Sequence, residues 1–323
     1  MTSLYDLLQA APKLDIQIKL AAIYTIIWYF LINHLITPIV ISVISNLKTK
    51  KRFIHFNRES FKKLIAWDIG DDEEEQIIAI ARVDAAMIQH LVGGIMLSPS
   101  VFGIGFKGNI AAALAYHAGL SEMGWEIQDL ISRCYEIIFR GERGRKLNPP
   151  SLMLTLVAHH SAACTAVIPM NLYDPGNRYW HEGFCIVQLG SFVLLLLQQY
   201  GYTLDVNTRD GLNKMRIAIS ISFLTCLWTR IIRYSWLLKG MYDGFVADGN
   251  MSFVYYGAVP ALLLSAFNVV VMKDAWQKFS KFVLKDIKKV TRDIKTHSQR
   301  NIEETIKKLG SLKDITNKSI KTD

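Results

Sequence analysis

Two adjacent histidines, His159 and His160, are the residues with the clearest chemical potential in this sequence. They lie in the apolar run Ser151–Met170, about 12–14 Å along a helix that begins at Ser151, close to the midplane of a bilayer. Ionisable side chains at that depth are costly and usually face a cavity or a polar partner. Because neighbours on a helix point about 100° apart, we expect one ring to face a cavity and the other to bond a neighbouring helix.

The pair is compatible with several kinds of chemistry. An imidazole can act as a general acid or base, accept an acyl group, or bind a lipid headgroup. Two histidines can also simply form hydrogen bonds that lock neighbouring helices together. A metal site is not expected, because adjacent histidines lack the i, i+4 spacing of a helical zinc site and no helical carboxylate stands at a matching offset. We take His159, His160 and Asp129 as the candidate catalytic residues.

Further polar side chains occur in other apolar runs. Any one of them is more often a satisfied interhelical hydrogen bond or an end residue than a catalyst. Together they predict a bundle with a polar or amphipathic interior. The residues expected to face that cavity are Asp84, His90, Gln188, Gln198 and Arg230.

Membrane-spanning helices must position these groups. Of the 323 residues, 51% are apolar or aromatic and only 20% are charged, more apolar than a soluble protein of this size requires. The sequence therefore predicts an all-α, polytopic membrane protein with about seven transmembrane helices. The predicted spans are Ile18–Ile44, Ile77–Val101, Ser121–Phe139, Ser151–Met170, Phe184–Tyr200, Ile217–Leu238 and Ser252–Met272. Five charged residues interrupt the third of them: Glu122, Glu126, Asp129, Arg133 and Glu136.

The charges between the runs predict an orientation. Basic clusters occur at 48–63, 140–146 and 209–216, and again after Lys273. With seven spans all four lie on one side, which the positive-inside rule assigns to the cytosol. The N-terminus is then lumenal and the C-terminus cytosolic.

Both polar flanks of the bundle are expected to meet the membrane surface. Residues 273–323 contain 14 Lys or Arg and 7 Asp or Glu, a net charge of +7, with apolar residues at helical spacing. They are predicted to form an amphipathic helix on the anionic inner leaflet, so that nucleic acid is not needed as a partner. Arg52–Trp67 is a second interfacial stretch, and the acidic run Asp71–Glu75 is expected to be a loop.

Several stretches together resemble the TLC-domain family, which includes the ceramide synthases and the translocating-chain-associated proteins. Their order and spacing carry the resemblance more than any single motif does. The residues concerned are Phe56–Trp67, Asp84 to His90, Gly124-Trp-Glu-Ile-Gln-Asp129, His159-His160 and Phe223–Tyr234. The resemblance implies a six-helix domain around a lipid or acyl-chain cavity in the endoplasmic reticulum membrane. It also implies that His159 and His160 hold the place of the paired histidines that ceramide synthases require for acyl transfer from coenzyme A.

One departure places the chain nearer to the non-synthase members. Ceramide synthases follow their histidines with an acidic His-Asp-x-x-Asp-x-x-Leu-Glu run, whereas Gln188–Gln199 contains no acidic residue here. The corresponding division is an N-terminal segment with the first span (1–51), a TLC-like domain (52–272) and a basic tail (273–323).

Three functions follow from these observations. The first is a TLC-like protein that binds, moves or senses membrane lipid and influences lipid composition. The second is a lipid N-acyltransferase using His159 and His160, with acyl-CoA as cosubstrate and no other cofactor. The third is a seven-span transporter or receptor. The partners expected in every case are membrane lipids and the inner-leaflet surface, and the chain could also associate with copies of itself.

Overall fold

The computed structural model describes residues 13–65 and 67–284, together with positions 299 and 305, and every regular element in these ranges is a helix. We number the helices in chain order. They are α1 (Leu14–Asn46), α2 (Lys50–Ile65), α3 (Glu73–Phe102), α4 (Gly108–Phe139), α5 (Gly141–Leu147), α6 (Pro150–Tyr173), α7 (Arg178–Thr203), α8 (Arg209–Ala247) and α9 (Met251–Leu284).

Six of these helices, α1, α3, α6, α7, α8 and α9, are long and apolar enough to cross a membrane, as in a multi-pass membrane protein. The third predicted span, Ser121–Phe139, forms the second part of α4 and is too rich in charge to join them. The count of seven spans therefore stays a prediction.

Helix α4 packs against α1, α3 and α6. Ala118, Leu120 and Glu126 on this helix are fully shielded from the surface. Trp28 of α1 donates a hydrogen bond from Nε1 to Ser121 Oγ at 3.0 Å. The charged residues of α4 face these neighbours, whereas Ile131 on its outer face is 59% exposed. The charged side chains are therefore covered by packing, and the outer face of α4 stays apolar.

The contact between α1 and α4 depends on Gly124. A Cβ atom at this position would lie 2.5 Å from Tyr24 Cβ and 2.8 Å from the backbone nitrogen of Thr25. Glycine at such contacts lets helix backbones approach closely within a membrane.

Gly124→Ala is therefore expected to lower the free energy of unfolding by about 1–3 kcal/mol, because α1 must move to admit the methyl group. Thermal unfolding of the detergent-solubilised protein measures the loss. Gly244→Ala in α8 is the matched control, since no atom lies within 4 Å of its added Cβ. It should be neutral or stabilise the helix by up to about 1 kcal/mol. Equal stability of the two variants would contradict the α1–α4 packing.

Ion pairs gather the basic segments at one end of the bundle. Arg52 lies 3.2 Å from Asp205, Lys63 lies 3.5 Å from Asp274, and Arg143 lies 2.7 Å from Glu75, as measured between nitrogen and oxygen. These contacts connect α2 to the α7–α8 loop and to α9, and α5 to α3. The described parts of the four basic segments, the last of them only up to Leu284, thus lie on the same side of the bundle.

Buried hydrogen bonds, as well as ion pairs, hold helix α2 against this end of the bundle. Asn57 and Gln199 exchange two side-chain hydrogen bonds of 3.0 and 3.2 Å, and both residues are buried. Asp68 follows the helix, and the backbone N–H of Gly70 and the ammonium group of Lys62 lower its pKa to about 2. The interfacial stretch is therefore partly a component of the bundle.

Two expectations for the polar flanks have different outcomes. The acidic run Asp71–Glu75 was expected to be a loop, and this is wrong for most of it: Asp72 caps α3 by accepting hydrogen bonds from the N–H groups of Glu74 and Glu75. Acidic side chains suit a helix start because they oppose its dipole. The predicted amphipathic tail lies outside the described residues from 285 onward, apart from positions 299 and 305.

Candidate functional site

A cavity of about 1050 Å³ opens between α6, α7, α8 and α9. Its wall on α6 extends from Thr155 to Met170, which corresponds to about 22 Å of helix. This volume is at the upper end of the range typical of small-molecule sites. The space is elongated and follows the helices.

Most of the wall is apolar, and one group of polar side chains lies around His159, while others such as Gln198, Lys239 and Asp274 lie elsewhere along the cavity. Small apolar residues line the cavity on α6 and α9, for example Ala163 and Ala261. The polar groups around His159 come from α3, α4, α6, α7 and α8. They include His90, Glu122, Glu126, His159, Gln188 and Arg230.

The two histidines have different surroundings. His159 lines the cavity, and its ring centroid lies 4.8 Å from that of Phe267 on α9. His160 is only 1% exposed and lies behind the wall, where its Nε2 is 3.2 Å from Asp129 Oδ2 on α4. The edge of the Trp125 ring meets it at a centroid distance of 5.5 Å. One ring thus lies at the cavity, and the other contacts the neighbouring helix α4.

Asp129 does not line the cavity and instead holds His160 from behind. Arg133, one turn further along α4, donates from Nε to both carboxylate oxygens of Asp129, at 3.0 and 2.9 Å. Arg133 also donates to Asn148 Oδ1 at 3.0 Å, and Asn148 donates to Glu136 Oε2 at 2.9 Å. Asp129 is therefore suited to positioning His160 rather than to meeting a ligand.

Glu126 is the site residue that sequence reasoning missed. It is 0% exposed, lines the cavity, and accepts a hydrogen bond on Oε2 from Cys164 Sγ at 3.1 Å. Its Oε1 has no hydrogen-bond partner among the described residues and lies 3.6 Å from His160 Nδ1. The spacing could have revealed it, because the charged residues of this run recur at i+4 and i+3 and so share one helix face.

The remaining polar wall is held by hydrogen bonds between helices. His90 Nδ1 lies 2.7 Å from Gln188 Oε1, and Gln198 accepts from Lys278 Nζ at 3.2 Å. Arg230 lies in a π-helical turn of α8 and donates to Asn268 Oδ1 at 3.0 Å. Of the five residues predicted to face the cavity, His90, Gln188, Gln198 and Arg230 do so.

Asp84 is the exception among these five residues. It is not part of the cavity wall, whereas Val83 beside it is. At 100° per residue, Val83 is seven residues from His90 and points within about 20° of it around the axis of α3. Asp84 is six residues from His90 and points about 120° away from it. A correct helical phase on α3 would have excluded Asp84.

His159, Glu122, Glu126 and Arg230 line the cavity and present an imidazole, two carboxyl groups and a guanidinium group to a molecule inside it. Such a site can bind a molecule that combines a long apolar part with a small hydrogen-bonding group. No family model matches the chain, and no curated protein or solved structure is significantly similar to it.

Proposed function

We propose that this protein holds one long-chain lipid within the membrane and thereby influences lipid composition. The cavity between α6, α7, α8 and α9 carries this proposal, because its walls are mostly apolar over about 22 Å of helix and one group of polar side chains lies around His159. The alkyl chain would lie along α6 and α9. The polar end would lie against His159 and Glu126.

The unpaired polar atoms favour a lipid that can donate hydrogen bonds. Glu126 Oε1 and His159 Nδ1 are buried without a hydrogen-bond partner among the described residues. A buried acceptor left unsatisfied costs about 1–3 kcal/mol. An amine, amide or hydroxyl group of a bound lipid can recover that energy, so a long-chain base or an amide lipid fits the site better than a hydrocarbon.

Two hydrogen bonds support seven crossings of the membrane. Asn171 of α6 donates to the carbonyl of Tyr116 on α4 at 3.4 Å, and Asn148, in the loop just before α6, donates to Glu136 of α4 at 2.9 Å. The late part of α6 thus meets the early part of α4, and the start of α6 lies near the end of α4, so α4 runs antiparallel to a helix that is long and apolar enough to span. We infer that α4 crosses as well, with its charged residues turned towards its neighbours.

The number of crossings bears on the orientation of the chain in the membrane, and the family resemblance bears on its location in the cell. Seven crossings place the N-terminus opposite the basic end, which the positive-inside rule makes cytosolic. The resemblance to the TLC-domain family supports a location in the endoplasmic reticulum and a cavity for a lipid. Residues 273–323 would then face the inner-leaflet surface.

The proposal is tested by filling the cavity. Ala261→Phe places a ring in the space lined by α9, and native mass spectrometry of the gently purified protein should show at least a tenfold lower occupancy by its co-purifying lipid. Ala266→Phe is the matched control, because Ala266 lies on the same helix, is exposed and does not line the cavity. Its lipid occupancy should equal that of the unmodified chain.

Two results would contradict the proposal. One is an unmodified protein that carries no defined lipid, or only the bulk composition of the membrane. The other is equal lipid occupancy in the two phenylalanine variants when both remain monodisperse.

Acyl transfer is a second candidate, favoured by the hydrogen-bonded pair of His160 and Asp129 directly behind His159. In that case His159 would act as base or acyl acceptor. Purified protein given acyl-CoA and a sphingoid base should form an amide, and the variant His159→Ala with His160→Ala should form none. Retained turnover in the double variant would refute histidine chemistry.

A further inference from the structure

Beside the cavity, three buried side-chain atoms that could bind a metal ion have no hydrogen-bond partner among the described residues. They are Glu126 Oε1, His159 Nδ1 and His160 Nδ1. Each of the three residues offers one ligand atom to a group whose members all lie within 4.8 Å of one another. Unsatisfied buried polar atoms are few in folded proteins, so three around one point indicate a missing partner common to all of them.

We propose that Glu126, His159 and His160 bind a divalent transition-metal ion, and that Zn²⁺ is the ion that fits best. Two imidazoles and one carboxylate form the donor set of a catalytic type of zinc site, in which a fourth position stays open for water or substrate. Glu126 and His159 line the cavity, so the open position faces it. This inference does not rest on the lipid proposal: with the ion bound, the polar end of a lipid would meet the open position of the metal instead of Glu126 Oε1 and His159 Nδ1.

The distances are close to those that a zinc ion needs. Bonds of about 2.0–2.2 Å in a tetrahedral site place the ligand atoms about 3.3–3.6 Å apart. His160 Nδ1 and Glu126 Oε1 are separated by 3.6 Å. That separation is too long for a good hydrogen bond but right for two ligands of one ion. The ligand atom of His159 lies within 4.8 Å of the other two.

The groups behind these ligands also match a metal site. His160 Nε2 lies 3.2 Å from Asp129 Oδ2, and Nδ1 lies 3.6 Å from Glu126 Oε1. With the ring proton on Nε2, that nitrogen donates to Asp129 and Nδ1 is left to bind a metal. Carboxylates that accept the second N–H of a ligating histidine are a regular feature of zinc sites. The thiol of Cys164 fixes the other oxygen of Glu126 at 3.1 Å.

The sequence argued against a metal site because adjacent histidines on one helix have no carboxylate at a matching offset on that same helix. The structure supplies the carboxylate from α4, and the ring centroids of His159 and His160 are 5.6 Å apart with the planes inclined by 53°. The simplest competing arrangement is a protonated His160 paired with Glu126 and Asp129. It needs no metal, and the experiment separates the two.

The full, untagged chain is purified in detergent, stripped with a chelator and titrated with Zn²⁺ against a competing chromophoric chelator. We expect one Zn²⁺ per chain. Glu126→Gln should weaken binding at least 100-fold, and Asp129→Asn, which acts only through His160, should weaken it 10- to 100-fold. His34→Gln and His55→Gln replace exposed histidines on α1 and α2 and should leave the affinity unchanged.

Substoichiometric binding, or an affinity that Glu126→Gln does not alter, overturns the proposal. If the variants fail to fold, X-ray absorption of the zinc-loaded unmodified chain decides the question. Two imidazoles and oxygen donors support the site, whereas a sulfur at about 2.3 Å or an all-oxygen shell refutes it. Lipid occupancy of the stripped protein is measured separately, so failure of the metal site is distinguishable from failure of the lipid proposal.

Discussion

Replacing Arg133 by leucine is expected to lower the free energy of unfolding by about 3–5 kcal/mol, because it leaves the charge of Asp129 inside the bundle without its main partner. The Arg133 and Asp129 side chains are only 8% and 13% exposed. Arg133 also donates to Asn148, whose amide reaches Glu136, so the substitution disrupts a connected polar network. Denaturation of the protein in mixed micelles measures the change.

Lys214→Leu is the control for this prediction. Lys214 pairs with Asp210 at 2.6 Å on α8, and the two side chains are 51% and 76% exposed. Exposed ion pairs contribute little, so the control should change stability by less than about 1 kcal/mol. Similar losses in both variants would show that the network of α4 is no more buried than the surface pairs.

Asn268→Leu is expected to destabilise the protein by about 1.5–3 kcal/mol, the usual contribution of a hydrogen bond to a charged group. Asn268 is 2% exposed, and its Oδ1 accepts from Arg230 Nη1 at 3.0 Å. Leucine has a similar volume, so packing is preserved while the guanidinium group loses its partner on α9. Arg230 keeps its contact with Ser191 on α7.

The same unfolding measurement on Asn33→Leu provides the comparison. Asn33 is exposed on α1, and its amide bonds only the backbone carbonyl of Tyr29 in the same helix. A change of less than about 0.5 kcal/mol is expected there. If Asn268→Leu were equally mild, Arg230 could not depend on α9 for its position in the cavity wall.

The positions of the long helices could be predicted from the sequence because hydropathy and charge both reflect the requirements of crossing a membrane. A span such as Ser151–Met170 must satisfy its backbone internally and present apolar side chains to lipid, which produces a long apolar run. The basic segments share one end for a related reason. Ion pairs such as Arg52–Asp205 now connect segments that the charge pattern could only assign to a common side.

The candidate site was predicted only in part, because pairing between helices is not visible in a single sequence. His159, His90 and Gln188 were found from their depth alone. Glu126 was treated as an interruption of a span, although its spacing from Asp129 placed both on one helix face. Which face of α4 meets α6 depends on the packing at Gly124 and its neighbours, and hydropathy carries no information on that.

Two other expectations also depended on how the helices pack against one another, which a single sequence does not show. Asp84 was assigned to the cavity because it is polar and lies in a span, while its helical phase relative to His90 directs it elsewhere. Metal binding was not expected because the ligand spacing was examined within one helix. In both cases the missing information was the relative rotation of α3, α4 and α6.

The central claim is that a lipid-sized cavity inside the bundle presents His159 and Glu126 to its occupant. A cryo-EM map of the full chain in lipid nanodiscs tests it most directly. The account predicts elongated density between α6, α7 and α9 that ends within contact distance of His159 and Glu126. A bundle in which side chains close this space, or in which the space holds no density, would contradict it.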